Sequence, residues 1–247
     1  MSADPYEDRL EELHAAFARV PRPAAVEGCP CCVGADEGAR LLARPPRSLS
    51  AGELSRFAAK ALNTWGGPED VRYFAPRLLE LAADDAFVWP DAEIVFGTLA
   101  RAGWREWPEA EAVAAFLAGF WTRTLARFPS RPGAGEALRA LAAAGVDLGP
   151  CLREWEAAVA RVDGPAVRHL HEIADEELAS RRYELAWALA HPQLENAFWT
   201  DGGAVVRWLT GGPAGGAVRA AFERTGDEEL LELLAETDGL IDPGHAM

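Results

Sequence analysis

Residues 113–128 read VAAFLAGFWTRTLARF, and their larger side chains recur at the i, i+3, i+4 and i+7 spacing of one helix face. The stripe consists of Val113, Phe116, Leu117, Phe120, Trp121, Thr124 and Phe128. This pattern predicts an amphipathic helix that buries the stripe.

The same spacing predicts further helices along the chain. It is clear in residues 54–65 and looser in residues 10–20. Shorter candidates cover 137–144, 152–162, 166–178, 182–189, 204–209, 217–222 and 228–234. Runs rich in β-branched or aromatic residues, such as 87–89 and 94–96, are too short to predict strands.

Proline and glycine indicate where helices begin and end. Residues 89–93 (WPDAE) and 107–111 (WPEAE) place proline at a first turn with acids behind it, where the carboxylates meet the positive end of the helix dipole. Residues 66–68 and 211–213, both GGP, end one helix and start the next. Pro76 interrupts a helical run, so we expect a kink or a break there.

These signals predict an all-α protein of about ten short helices. Antiparallel helix pairs would form an irregular bundle or a short HEAT/armadillo-like curved solenoid. We expect residues 1–247 to form a single all-helical domain, with an N-terminal unit (1–83) and a helical body (84–247).

Charge limits the classes of partner. Lys and Arg total 24 against 39 Asp and Glu, a formal net charge of −15. Phosphate backbones and anionic bilayers are therefore repelled, so we expect no nucleic acid and no membrane partner, and a basic protein fits better. Acidic charge also simply keeps a helical surface solvated. We find no secretory signal pattern and no apolar stretch near the roughly 18 residues of a membrane span, so we expect a cytoplasmic location.

A cysteine cluster is the only stretch that suggests chemistry. Cys29 and Cys32 have the C-x-x-C spacing that lets two thiolates reach one tetrahedral zinc ion, and Cys31 is a possible third ligand. No second such pair is present. The remaining ligands would have to come through folding from His14, Cys151, His169, His171, His191 or His245.

Two other interpretations of the cysteines stay open. The same C-x-x-C pair suits a redox-active thiol protein or enzyme, although no strands alternate with helices as they do around a thioredoxin motif. The cysteines also fit a purely structural role.

Other candidate residues carry weaker signals. His169 and His171 lie two positions apart, which points them to different sides of a helix, so we expect no shared metal. Paired acids such as 84–85 suit helix ends and solvation. Most of the nine tryptophans suit a core, but Trp104 and Trp107 flank a predicted loop, where an exposed aromatic pair would bind a partner.

Residues 14–93 resemble an uncharacterised family of bacterial proteins with no assigned activity. Three stretches carry the resemblance: 17–23 leading into EGCPCC at 27–32, 54–61 ending in TWG at 64–66, and DVRYFAPRLLE at 70–80. The resemblance implies that the cysteine loop and residues 65–80 form one N-terminal unit. It places the family's C-x-x-C on Cys29 and Cys32, ranks Cys31 below them, and implies no catalytic residue.

The sequence contains no phosphate-binding, dinucleotide-binding or nucleophile-elbow motif, so nothing supports an enzymatic activity. The leading hypothesis is a cytosolic helical protein-interaction or scaffold protein with a structural zinc at the cysteine loop. The alternatives are the redox-active thiol protein using Cys29 and Cys32, and an immunity-type inhibitor that neutralises a basic toxin.

Overall fold

A computed structural model describes residues 5–34, 36–180 and 202–242. Within these residues the chain forms twelve α-helices and no β-strand, which confirms the all-α prediction. They are α1 (Pro5–Phe17), α2 (Glu37–Leu42), α3 (Ala51–Lys60), α4 (Pro68–Ala83), α5 (Ala92–Arg101), α6 (Ala110–Leu125), α7 (Ala134–Ala143), α8 (Leu148–Ala160), α9 (Gly164–Ala174), α10 (Gly202–Thr210), α11 (Pro213–Phe222) and α12 (Glu228–Ile241). Short 3₁₀ turns cover Pro46–Ser48 and Trp104–Glu106, and a π-helical segment, Asp175–Ser180, follows α9.

Helix ends follow the proline and glycine signals. α4 begins at Pro68 with Gly67 at its N-cap, and α11 begins at Pro213 after Gly212, whose φ of 105° suits glycine. α4 runs through Pro76 to Ala83 without a break. The predicted helix at 182–189 lies outside the described residues.

The chain divides into two compact units. The first unit comprises residues 1–120 and 143–145, and the second comprises 121–142 and 146–247. The boundary predicted near residue 83 lies inside the first unit, at the end of α4.

The first unit is an irregular bundle that carries the cysteine loop. In it, α4 packs against α1, α3 and α5. Aromatic side chains fill its core, as when Phe57 meets Phe74 and Trp65 with ring centroids 5.1 and 5.6 Å apart. The core of this unit therefore lies next to the connection between α3 and α4.

The second unit is also a helical bundle. Here α11 packs against α8, α10 and α12, and α9 packs against α8 and α12. The indole of Trp155 packs between Trp121 and Trp208, with ring centroids 5.5 and 5.2 Å away.

Within α6, every residue of the predicted stripe is buried, whereas Phe128 lies beyond the helix end and is partly exposed. None of the described helices has the length and apolar character to cross a membrane.

Candidate metal centre

Cys29, Cys31 and Cys32 lie in a tight turn between α1 and α2. The backbone amides of Cys32 and Val33 both donate to the carbonyl oxygen of Cys29, at 2.8 and 2.9 Å. This folding of the chain over Cys29 brings all three cysteine side chains to one side of the loop, as the spacing of Cys29 and Cys32 predicts.

Backbone hydrogen bonds fix this turn to the connection between α3 and α4. The amide of Cys29 donates to the carbonyl of Thr64 at 2.8 Å, and the amide of Gly66 donates to the carbonyl of Glu27 at 2.7 Å. Gly28 and Trp65 form an isolated antiparallel bridge between these two bonds. These bonds fix which residues of the loop lie opposite the α3–α4 connection, where Trp65 is buried.

Two glycines allow close packing around the loop. A Cβ at Gly28 would lie 2.7 Å from the Val33 Cβ, and a Cβ at Gly38 would overlap the Val26 carbonyl oxygen and lie 3.3 Å from its carbon. Gly38 is buried in α2. Side chains larger than hydrogen at these two positions would push the turn or α2 away from its neighbour.

The three thiols form one cluster. The Sγ atoms of Cys29 and Cys31 are 2.9 Å apart, those of Cys31 and Cys32 are 3.5 Å apart, and all three lie within 4.8 Å of one another. Thiolates on one tetrahedral zinc are about 3.8 Å apart when each bond is about 2.3 Å. Cys29, Cys31 and Cys32 are therefore close enough to hold a metal ion.

Hydrogen bonds among the thiols separate their acidities. The bond with Cys31 lowers the pKa of the Cys29 thiol below its ordinary value, whereas bonds with Cys29 and Cys32 raise the pKa of Cys31 to about 11. A thiolate is the form that binds metals and attacks electrophiles. The lowered pKa therefore favours the reactive form at Cys29.

Two cations lie beside the cluster. The Arg56 guanidinium and the Lys60 ammonium, one turn apart on α3, donate to the carbonyl oxygen of Cys32 at 2.7 and 2.9 Å. Arg56 also pairs with Glu37 at 2.5 Å. Arg56 and Lys60 thus hold the backbone of the cysteine turn against α3.

The other predicted ligands have different surroundings or lie outside the description. Among the described residues, the metal-ligating group consists of the three cysteines alone. His14 instead pairs with Glu80 at 2.9 Å. Cys151 is a buried cysteine of the second unit outside this group, and burial raises the pKa of its thiol to about 12. His191 and His245 lie outside the described residues.

His169 and His171 serve the packing of the second unit. The Nε2 of His169, a buried residue, lies 2.7 Å from the Arg127 carbonyl, and the Nδ1 of His171 lies 3.2 Å from the Thr237 hydroxyl. The two imidazoles therefore have separate partners, as their two-residue spacing predicts.

The expectation that Trp104 and Trp107 form an exposed binding pair is wrong. Their exposed fractions are 5% and 8%. The Trp104 indole N–H donates to the Ala144 carbonyl at 2.9 Å, and Trp107 packs edge-on against Phe17 with ring centroids 6.0 Å apart. The segment is a 3₁₀ turn that directs both rings into the core of the first unit.

Comparison of the chain with protein-family models, with curated proteins and with solved structures gives no match. The resemblance of residues 14–93 to a bacterial family stays a prediction. The geometry of the cysteine loop is therefore the basis for inferring a function.

Proposed function

We propose that the chain is a metal-binding helical protein in which Cys29, Cys31 and Cys32 hold one zinc ion. The observation that carries this proposal is the approach of the three Sγ atoms to within 4.8 Å of one another. Thiolates are soft ligands, and zinc is a divalent ion that accepts them without redox chemistry.

The zinc would stabilise the N-terminal loop on the rest of the first unit. The described residues between Phe17 and Glu37 form no helix, and backbone bonds at Glu27 and Cys29 tie this segment to the α3–α4 connection. An ion bound by Cys29, Cys31 and Cys32 would hold the turn in the conformation in which these backbone bonds form. The free energy of metal binding then becomes free energy of folding for this region.

The zinc content of the protein purified without added metal tests this proposal. We expect about one zinc per chain, and its loss in a Cys29→Ser, Cys32→Ser double variant. Cys151→Ala is the matched control, because Cys151 is a free thiol of the second unit and should leave the zinc content unchanged. Metal-free wild-type protein that takes up no added zinc would disprove the site.

A redox-active thiol protein is the second candidate, and the approach of the Cys29 and Cys32 sulfurs to within 4.8 Å of each other favours it. In this function Cys29 thiolate would attack an external disulfide, and Cys32 would then displace the second thiol. Cys29 and Cys32 lose two electrons and two protons, and the external disulfide is reduced to two thiols. A reversible Cys29–Cys32 disulfide in metal-free protein, detected by thiol counting and peptide mapping, would support this function over zinc binding.

We also infer a protein partner of basic character for the helical body. Between α4 and α5, Val88 is fully exposed and the exposed fraction of Trp89 is 54%. An apolar tip on a chain with a net charge of −15 suits a partner that combines positive charge with an apolar recess. A photo-crosslinker at residue 89 should trap one discrete adduct in the source cells, whereas the same group at the exposed Phe222 should not.

A further inference from the structure

We propose that the ion held by the three cysteines keeps a fourth coordination position, and that this position binds the sulfur of a small-molecule thiol. The inference rests on the zinc site proposed above and extends it from a structural clamp to a ligand-binding centre. Zinc sites with three protein ligands and one exchangeable position are the type that binds substrates, whereas structural sites have four protein ligands.

The number of ligands supports an open position. Cys29, Cys31 and Cys32 supply three sulfurs, and no imidazole or carboxylate whose side chain the structure describes joins their group. The three ligands come from four consecutive residues, so they approach the ion from one side only. A tetrahedral ion bound in this way has its fourth direction away from the turn.

Accessibility supports entry of a ligand from solvent. Cys31 is exposed, and Cys29 and Cys32 are only partly buried. A small molecule therefore reaches the face of the ion that is opposite to the backbone of the turn. A fully buried cluster would instead exclude such a ligand.

Softness selects a thiol as this ligand, whereas charge opposes it. Three thiolates on a divalent zinc ion give a net charge of −1, and a fourth thiolate makes it −2. The Lys60 ammonium, on the Cys32 carbonyl, supplies positive charge that opposes this increase, whereas the Arg56 charge is paired with Glu37. Binding replaces a coordinated water, forms a metal–sulfur bond and releases the thiol proton to solvent, with no oxidation or reduction.

Cobalt substitution followed by a thiol titration tests the inference, because Co²⁺ takes tetrahedral sulfur sites and its sulfur charge-transfer absorption reports the number of metal–sulfur bonds. The probe is 2-mercaptoethanol added anaerobically, with ethylene glycol as the oxygen-containing control. Going from three to four sulfurs should raise the charge-transfer absorption by about a third. Ethylene glycol should leave it unchanged, and a Lys60→Gln variant should need more thiol to reach the same increase.

The possible failures are distinguishable. If the protein binds no cobalt, the proposed zinc site and this inference both fall. If cobalt binds with the absorption of three sulfurs but does not respond to 2-mercaptoethanol, the zinc site stands and the open thiol position is wrong. The same conclusion follows if the spectrum shows that a nitrogen or oxygen donor of the chain already completes four-coordination and is not displaced.

Discussion

The amide of Cys29 donates a hydrogen bond of 2.8 Å to the carbonyl oxygen of Thr64. This bond joins the first cysteine to a segment that follows α3, more than thirty residues along the chain. Because Cys29 also accepts the two amide bonds that close the turn, its backbone fixes the position of all three thiols. The backbone of the cysteine loop is thus held by hydrogen bonds to the rest of the first unit.

Under the proposed zinc site, removal of the metal should loosen the loop without unfolding the second unit, because the ion would add to the backbone bonds that hold the loop. A chelator is expected to accelerate amide hydrogen exchange at Cys29 and Gly66, whose bonds join the loop to the α3–α4 connection. Exchange within α8 and α9 should stay unchanged. Equal acceleration in α8 and α9, measured by mass spectrometry on peptides, would contradict a local role for the ion.

Gly38→Ala should destabilise the first unit. The new methyl group would overlap the Val26 carbonyl oxygen, a backbone atom, so α2 or the loop must shift at a cost of about 1 to 3 kcal/mol. Gly52→Ala is the control, because nothing lies within 4 Å of its added Cβ and alanine favours helix α3. Urea unfolding should show a lower midpoint for Gly38→Ala only, and equal midpoints for both variants would contradict the packing argument.

Arg56→Gln should weaken metal binding without removing any ligand. The substitution deletes one of the two charged donors on the Cys32 carbonyl, so the turn that carries the thiols is held less firmly and zinc affinity should fall. Arg44→Gln is a matched control, since Arg44 is equally exposed and is also paired with a glutamate, Glu53. Competition with a chromophoric zinc chelator measures both affinities, and equal affinities would exclude a role for the Arg56 charge.

Glu80→Gln should destabilise the protein at neutral pH and lose this effect in acid. Burial raises the pKa of Glu80, but bonds from His14 and Arg77 outweigh it and hold the pKa below its ordinary value of 4.5. A carboxyl group with a depressed folded-state pKa stabilises the fold above its unfolded pKa, and this stability is lost as the pH falls through the folded value.

The measurement for Glu80 is urea unfolding at several pH values. At pH 7 we expect Glu80→Gln to cost about 1 to 2 kcal/mol, because the side chains of His14 and Arg77 are also largely buried. The difference from wild type should shrink as the pH falls below 4.5. Glu12→Gln, which removes an exposed pair with Arg9, should change little at any pH. A Glu80→Gln effect that is independent of pH would contradict the ionic origin.

The helices were predictable because their signals are local. The buried stripe of α6 follows from spacing within one helix, and the starts of α4 and α11 follow from glycine and proline beside one another. The cysteine cluster was predictable for the same reason, since the C-x-x-C spacing is local and brings Cys29 and Cys32 together within one turn.

The surroundings of these elements were not predictable, because they depend on residues distant in sequence. Trp104 is buried, and its indole N–H donates to the carbonyl of Ala144, forty positions away. The backbone bonds of the cysteine loop to Thr64 and Gly66, and the position of Lys60 beside Cys32, likewise arise from tertiary packing. No periodicity or motif encodes such pairings.

Residues 143–145 belong with the first unit, although the segments on both sides of them belong with the second. This arrangement limits how the gene can be rearranged in evolution. A fragment that ends at Phe120 would contain Trp104 without the Ala144 carbonyl that its indole requires. A recombination event at that point would thus pass on a buried donor with no acceptor, at a cost of about 1 to 3 kcal/mol. The two units are therefore expected to be inherited together rather than shuffled as separate modules.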